Sequence, residues 1–369
     1  MQNEKRTVLY IGGFELPDKN AAAHRVLGVA KLFRAMGFKV EFINKTNEDS
    51  PPNEIEDFKI KNTSKPRSPL SQVCSLFEAK DVINYLKCND NIACVVAYNY
   101  PSYALNKIIR YCKKNGIKCI ADVTEWYKGF YVNPFKVLTK GVDSWYRMRI
   151  VHKKCDGIIA ISNYLEDYYL PHTNVVNIPP VVDKTDSKWN QNKEQHNGVV
   201  FVYAGSPSRT KERLDLIVDA IESLDKSRQA SLFVVGITKS QFLKMYNLKS
   251  KVFQSTVFVG KKTHRDALNC VAQSDYSFLI RDTNRVTKAG FPTKFVESIS
   301  VGCAVIANDN SNISAHLKDD CGGYLVNESD LANELEKIIR QPIPTVDTSR
   351  FDYHKYIEPF SKFIENIIV

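Results

Sequence analysis

The sequence lacks any apolar run that approaches the roughly 20 residues needed to span a bilayer, so any membrane contact is expected to be peripheral. Its nine cysteines include no Cys-x-x-Cys pair and no Cys/His group at zinc-finger spacing. Reduced thiols in a cytoplasm are therefore expected. The first six residues are polar, and the apolar run from Val8 to Ile11 is too short for the core of a signal peptide, which also predicts a cytoplasmic location.

Several motifs of other protein classes are also missing. No recognised nucleic-acid-reading motif is present, so the net charge of +10 is read as favouring nucleotide diphosphates or anionic lipid head groups. The first turn, Gly12-Gly13-Phe14-Glu15, lacks the Gly-x-Gly-x-x-Gly spacing of dinucleotide-dependent oxidoreductases. There is no Asp-x-Asp dyad at a predicted strand end, and the adjacent Asp319 and Asp320 are interpreted as solvated. We predict no metal and no cofactor.

What is present is an alternation of apolar strands and amphipathic helices. The first half begins with strand Val8–Ile11, helix Ala21–Met36 and strand Val40–Ile43, and a second series begins at Val199. A chain of 369 residues suits two hydrophobic cores better than one. The pattern predicts an α/β protein with two Rossmann-like, doubly wound domains that face each other across a cleft.

Composition changes suggest where these domains begin and end. We predict an N-terminal domain at 1–183, a polar linker at 184–198 and a C-terminal domain at 199–350. The aromatic tail 351–369 is predicted to form a final helix that packs back on the N-terminal domain. The interval 126–150, rich in aromatic and basic residues, breaks the alternation and is interpreted as an insertion.

The loop after the first strand of the second half is a candidate phosphate site. It contains the small residues Gly205 and Ser206 and the cations Arg209 and Lys211, and it leads directly into a helix. Backbone amides at a helix start, together with Arg and Lys, suit a diphosphate. An ordinary strand-to-helix turn with solvated charges is the alternative.

The segment 289–297 is the second candidate. Pro292 fits the preference for proline in the first turn of a helix, and Glu297 lies four residues beyond Thr293 on the same side of that helix. A lone carboxylate there could be solvated or could cap a backbone amide. Because the helix around it is apolar, a ligand-binding role for Glu297 is favoured.

This segment resembles the donor-binding signature of the retaining GT-B glycosyltransferases of family four. The matching positions are Gly290, Phe291 and Glu297, followed by Gly302, Val305 and Ile306. The chain departs from the signature at Ala289, where the family has a first Glu, and at Pro292, where a Gly is usual.

The resemblance implies a donor site. By this resemblance Glu297 binds the ribose of a nucleotide, while Arg209 and Lys211 neutralise the leaving diphosphate. The donor-binding set is completed by Gly205, Ser206, Gly290, Phe291, Pro292, Thr293 and Lys294. The implied reaction retains anomeric configuration and needs no metal. The loss of the first Glu leaves the donor sugar undetermined.

The resemblance is weaker in the first half. The family has a glycine-rich loop before its first helix, and here Gly12 and Gly13 come early, with Asn20, Ala21 and Ala22 at the expected place; this loop is the candidate acceptor or phosphate loop. Many members carry a His near the reacting sugar. At the matching position Glu125 is the favoured candidate, with Asp122 and a structural role as alternatives, and His24 is a second catalytic candidate.

Taken together, these features predict a retaining, hexosyltransferase-like enzyme that moves a sugar from a nucleotide diphosphate sugar to a lipid-linked glycan. The resemblance implies a role in the synthesis of a cell-surface polysaccharide, such as capsule, O-antigen or lipopolysaccharide, at the inner face of the plasma membrane. The interval 126–150 would lie beside the acceptor and contact the anionic membrane surface, or would be a packed helical insertion with an exposed basic face. The first alternative is a non-catalytic protein that binds a nucleotide sugar or a glycan. A dinucleotide-dependent oxidoreductase is the less favoured alternative.

Overall fold

The computed structural model describes the chain apart from residues 1–5, 17–20, 128–139, 209–211, 226, 228, 318–321 and 369, and apart from the side chain of Pro69. The chain forms two compact units. The first comprises Met1–Val181 and Tyr353–Val369, and the second comprises Val182–Asp352.

The first unit is built on an eight-stranded sheet. Its strands are β1 Thr7–Gly12, β2 Lys39–Thr46, β3 Glu54–Ile55, β4 Phe58–Ser64, β5 Ile92–Tyr98, β6 Lys118–Val123, β7 Gly157–Ala160 and β8 Asn174–Asn177. They are arranged in the order β3-β4-β2-β1-β5-β6-β7-β8, and all pairs are parallel except β3 with β4. The central strands β1 and β5 are fully buried, which explains why both are continuous apolar runs.

The second unit is built on a six-stranded sheet. Its strands are β9 Val199–Ala204, β10 Ala230–Val235, β11 Thr256–Gly260, β12 Tyr276–Leu279, β13 Ala304–Ala307 and β14 Gly323–Leu325. All pairs are parallel, and the order is β11-β10-β9-β12-β13-β14. The strand order reverses between β9 and β12, and open α/β sheets bind ligands at such a point, beyond the carboxyl ends of the strands.

Helices connect the strands of both sheets. The described α-helices are α1 Ala21–Ala35, α2 Pro69–Ser75, α3 Lys80–Lys87, α4 Ser102–Lys114, α5 Val142–Tyr146, α6 Asn163–Tyr169, α7 Leu214–Ser223, α8 Lys239–Met245, α9 His264–Ala272, α10 Arg285–Ala289, α11 Thr293–Ser300, α12 Leu331–Ile338 and α13 Ile357–Ile368. After α5 the helix continues through a π-helical segment, Arg147–Val151, and a 3-10 turn, His152–Lys154. No helix in the described part of the chain is long and apolar enough to cross a membrane.

The C-terminal helix α13 belongs to the first unit. Its apolar face contributes to the same core as α1 and the central strands, through Phe360, Phe363, Ile364 and Ile367. The helix lies so close to β7 that a Cβ atom on Gly157 would be 2.3 Å from Cδ1 of Ile367. A glycine at this position therefore permits the close packing of helix and strand.

The predicted fold class is confirmed, since each half is a doubly wound parallel sheet of the Rossmann-like type. The sequence pattern predicts no element at residues 54–64, where the structure has β3 and β4. Only Phe58 and Ile60 of β4 are buried, so this strand lacks the apolar run that identified the others. The polar stretch 184–198 lies in the second unit, where Trp189 is buried against Val202 and Leu268.

Candidate functional site

The candidate site of the second unit begins where β9 ends. Gly205 has a φ of +138°, and its N–H donates to the carbonyl of Val235 at 2.9 Å. A Cβ atom at this position would lie 2.2 Å from Cε and 2.5 Å from Nζ of Lys294. The backbone conformation therefore favours glycine here, and a larger residue would displace the end of the Lys294 side chain.

Lys294, in the first turn of α11, is the centre of a polar cluster that includes Tyr203 and Glu212. Its ammonium donates to the Tyr203 hydroxyl at 3.0 Å and to both carboxylate oxygens of Glu212 at 2.9 and 2.8 Å. The ammonium also lies 4.3 Å from the centre of the Tyr203 ring. The Tyr203 hydroxyl in turn donates to Glu212. We call these three residues the lysine cluster.

Burial and charge act against each other in the lysine cluster. Burial disfavours the carboxylate of Glu212, but the charge of Lys294 and the hydrogen bonds from Lys294 and Tyr203 leave the pKa of Glu212 lowered. Burial lowers the pKa of Lys294 even though Glu212 lies beside it. Burial and the Glu212 charge raise the pKa of Tyr203, which keeps its hydroxyl protonated and able to donate.

Arg281 adds a second cation beside the lysine cluster. It follows β12, is 8% exposed, and forms an antiparallel backbone bridge with Glu212. Lys294 and Arg281 thus place two cations beside the carboxylate of Glu212 at the point where the strand order reverses. Cations at such a point favour an anionic ligand. Neither Glu212 nor Arg281 was identified as a site residue from the sequence, although Arg281 directly follows the largely apolar segment 276–280.

Glu297 lies one helical turn beyond Lys294. Its Oε1 is 3.1 Å from Nε2 of His264, at the start of α9, and the two side chains are 29% and 39% exposed. The predicted carboxylate is therefore partly accessible and held by a neighbouring helix. His264 was not identified from the sequence, because the contact joins residues 33 positions apart.

The remaining predicted donor residues differ in their surroundings. Ser206 is exposed and Thr293 is half-buried, whereas Pro292 is buried at the residue that precedes α11. The carbonyl of Gly290 accepts a hydrogen bond of 2.6 Å from the Ser311 hydroxyl. Arg209 and Lys211 lie outside the described residues.

Phe291 belongs to an aromatic cluster that supports α11. It is 6% exposed and packs edge-to-face against Phe295, His316 and Phe351. The carbonyl of His316 accepts a hydrogen bond from Arg350. Burial, and secondarily the charge of Arg350, lower the pKa of His316 to about 4.

The aromatic cluster is expected to lose stability in acid. Between about pH 6.5, the usual pKa of histidine, and about pH 4, the unfolded chain binds a proton that native His316 does not. As the pH decreases through this range, the contribution of His316 should therefore lower the free energy of unfolding by about 2 kcal/mol. This figure allows for the partial exposure of His316. Urea denaturation at several pH values measures this, and His316→Leu should flatten the profile. An unchanged slope in His316→Leu, or the same flattening in the exposed control His172→Gln, would contradict the assignment.

The first unit places its predicted residues at the carboxyl ends of β1 and β6. A Cβ atom on Gly12 would lie 2.2 Å from the carbonyl oxygen of Tyr98, so close strand packing accounts for this glycine. Gly13 is exposed and donates its N–H to the same carbonyl at 3.3 Å. At the start of α1, Ala21 is exposed, and Ala22 and His24 are half-buried. Asn20 lies outside the described residues.

Asp122 and Glu125 have different environments. Asp122 is fully buried; it accepts hydrogen bonds from Arg25 at 2.9 Å and from the Tyr10 hydroxyl at 2.5 Å. Arg25 also donates to the carbonyls of Ile178 and Pro179. The Asp122 carboxylate is thus occupied in a buried ion pair. Glu125, two residues after β6, is exposed.

Part of the chain is similar in sequence to a known protein family. Residues 184–355 match the sequence model of the family described as glycosyl transferases group 1. The second unit therefore matches group 1 glycosyl transferases. No curated protein sequence matches the chain.

Solved structures of similar fold span both units. Sucrose-phosphate synthase from Thermosynechococcus elongatus has 14% sequence identity and a TM-score of 0.71, with 98% of each chain covered. HepE from Anabaena, solved with UDP and glucose, has 13% identity and a TM-score of 0.64, with 98% of this chain and 99% of that one covered. WaaG, a glycosyltransferase involved in lipopolysaccharide biosynthesis, has 13% identity and a TM-score of 0.60, with 97% and 94% covered. At these identities the similarity establishes a common two-domain fold.

Proposed function

We propose that this protein is a retaining glycosyltransferase that uses a nucleotide diphosphate sugar as donor. The observation that carries the proposal is the position of Lys294. Its ammonium lies against Gly205, at the end of β9, with Glu297 one turn further along the same helix. This pairing of a cation with a ribose-binding carboxylate fits a nucleoside diphosphate, and it lies in the unit that matches group 1 glycosyl transferases.

In the proposed reaction, negative charge develops on the diphosphate as the glycosidic bond to the sugar breaks. Lys294, with one N–H turned from Glu212 to the phosphates, and the backbone amides after Gly205 would stabilise that charge, and we assign Arg209 and Lys211 to the same task. Groups fixed in advance around a leaving group contribute most when water is excluded. Because these groups supply the positive charge, we propose a reaction that requires no metal.

The acceptor side is assigned to the first unit. We propose that the loop containing Gly13, Ala21 and Ala22 approaches the acceptor or the donor phosphates, and that His24 or Glu125 contacts the reacting sugar. Of the two acidic candidates Glu125 is the better one, because Asp122 is held by Arg25 and Tyr10. By the family resemblance, the acceptor is a lipid-linked glycan used in cell-surface polysaccharide synthesis, at the cytoplasmic face of the membrane.

One observation favours a second candidate function, in which a nucleotide sugar is bound without being transferred. Ala289, where the family resemblance calls for a donor-contacting Glu, is fully buried and presents no carboxylate. The two candidates share the donor site and differ in turnover.

The ribose contact of Glu297 tests the donor site. Replacement of Glu297 by alanine should weaken binding of the preferred nucleoside diphosphate by about 10- to 100-fold, because charged hydrogen bonds to the ribose are lost. A 2′,3′-dideoxy nucleotide should bind wild type weakly and lose nothing further in the variant. Calorimetric titration of both ligands measures this, with the exposed Glu365→Ala as control.

The same selectivity is expected of His264→Ala, with a smaller loss, since this residue acts through Glu297. Equal losses for both nucleotides would indicate general damage to the fold and contradict a ribose contact. Unchanged affinity in Glu297→Ala would contradict the assignment of the donor site.

A further inference from the structure

Two neighbouring helical segments of the first unit carry exposed cations with no exposed acid. They are α4 and the continuous helix from Val142 to Lys154. Neither contains a glutamate, and their one aspartate, Asp143, is 6% exposed and accepts hydrogen bonds from the amide and hydroxyl of Ser102 at 2.7 and 2.8 Å. Outward-facing charge on both segments is therefore entirely positive.

Helical spacing aligns the cations of α4 in one stripe. On α4 the residues at positions i, i+4, i+7 and i+11 are Tyr103, Lys107, Arg110 and Lys114, all exposed. On the second segment Val142 and Trp145 are exposed, and the cations Arg149 and Lys153 that follow them along the chain are half-buried. We call the stripe and these four residues together the basic face.

Aromatic contacts join the two segments. The ring of Tyr103 lies 5.4 Å from that of Tyr146 and stacks at 4.8 Å on Phe77. The guanidinium of Arg149 lies 5.6 Å from the ring of Trp145. The two segments are thus in contact through the rings of Tyr103 and Tyr146, and aromatic rings lie beside cations of the basic face.

Large apolar side chains are exposed on the second segment and at Phe77, which stacks on Tyr103. Trp145 is 49% exposed, Val142 42%, Phe77 45% and Ile150 38%. Apolar groups of this size at the surface mark an interaction site when they are clustered. Aliphatic side chains such as Val142 and Ile150 find apolar partners in acyl chains, whereas a nucleic acid offers none of comparable kind.

We propose that the basic face docks on an anionic lipid surface. The cations would lie at the level of the lipid phosphates, and Trp145 with Val142 and Ile150 would enter the boundary between head groups and acyl chains. The biological role of this docking rests on the proposed transferase function, because it would bring the enzyme to a membrane-bound acceptor. The docking itself does not depend on that activity. Vesicle binding itself requires no nucleotide.

Sedimentation of the full chain with lipid vesicles tests the proposal. Vesicles of phosphatidylcholine with about one third phosphatidylglycerol should bind the protein, and vesicles of phosphatidylcholine alone should not. Trp145→Ser with Ile150→Ser should weaken binding at least about tenfold, and so should Lys107→Ala, Arg110→Ala and Lys114→Ala together. Raised salt should weaken the binding of wild type.

Matched controls lie in the second unit. Val252→Ser replaces an apolar residue that is 79% exposed, and Lys239→Ala, Lys244→Ala and Lys249→Ala remove three exposed cations; both controls should bind like wild type. Equal melting temperatures would show that all variants fold. Absence of vesicle binding, equal binding to neutral vesicles, equal loss in the controls, or binding to RNA in preference to vesicles would each overturn the proposal. Loss of nucleotide binding with vesicle binding intact would contradict the donor site alone.

Discussion

Replacing Lys294 by methionine is expected to lower the affinity for a nucleoside diphosphate by about 100-fold, since a charge-assisted contact to the phosphates is lost. The same change should destabilise the fold by about 3 kcal/mol, because Glu212, with a side chain only 13% exposed, would lose its ion-pair partner. Calorimetric titration measures the affinity, and urea denaturation measures the free energy of unfolding.

A double variant separates the two effects. Adding Glu212→Gln to Lys294→Met removes the unpaired charge, so most of the stability should return while nucleotide binding stays lost. Lys337→Met is the control, because Lys337 is 64% exposed in its ion pair with Glu334, so its loss should leave both stability and nucleotide affinity almost unchanged. If the double variant recovered nucleotide binding together with stability, Lys294 would be a structural residue and not a ligand of the phosphates.

Gly205→Ala is expected to lower nucleotide affinity at least about tenfold. The added Cβ would collide with Lys294 at 2.2 Å and displace its ammonium, and the φ of +138° would itself be strained. Gly116→Ala is a matched control, because Gly116 also has a positive φ, of +65°, but no atom lies within 4 Å of the added Cβ.

Both glycine variants should lose stability through backbone strain, by about 1 kcal/mol for Gly116→Ala and by more for Gly205→Ala. Only Gly205→Ala should lose nucleotide affinity. Equal affinities in the two variants would contradict the role of Gly205 in positioning Lys294.

Much of the architecture could be predicted from local patterns. Buried parallel strands such as β1 and β5 are continuous apolar runs, and they alternate with amphipathic helices, so the doubly wound class followed from periodicity. The strand β4 was missed because its buried residues, Phe58 and Ile60, are separated by lysine and followed by polar residues. β4 lies next to the edge of the sheet and buries side chains on one face only, so its sequence signal is correspondingly weak.

The site could be predicted only in part. Gly205, Lys294 and Glu297 were predicted as donor-site residues because they lie in two short segments that resemble a known signature. The partners that hold these side chains were not predicted. Glu212 and its partner Lys294 are 82 positions apart in the sequence, and His264 and its partner Glu297 are 33 positions apart. Such pairs are created by strand order, which sequence spacing does not encode.

Turnover of a panel of nucleotide sugars is the most direct test of the proposed transferase. The protein would be incubated with UDP-, GDP- and ADP-sugars in the presence of EDTA, and release of the nucleoside diphosphate and the anomeric form of the product would be followed by NMR. We expect release from one class of donor, a product with the anomeric configuration of that donor, and no release by Lys294→Met. A wild-type protein that binds a nucleotide sugar tightly but never releases the nucleoside diphosphate, with or without lipid-linked glycan, would contradict the transferase and favour the binding protein.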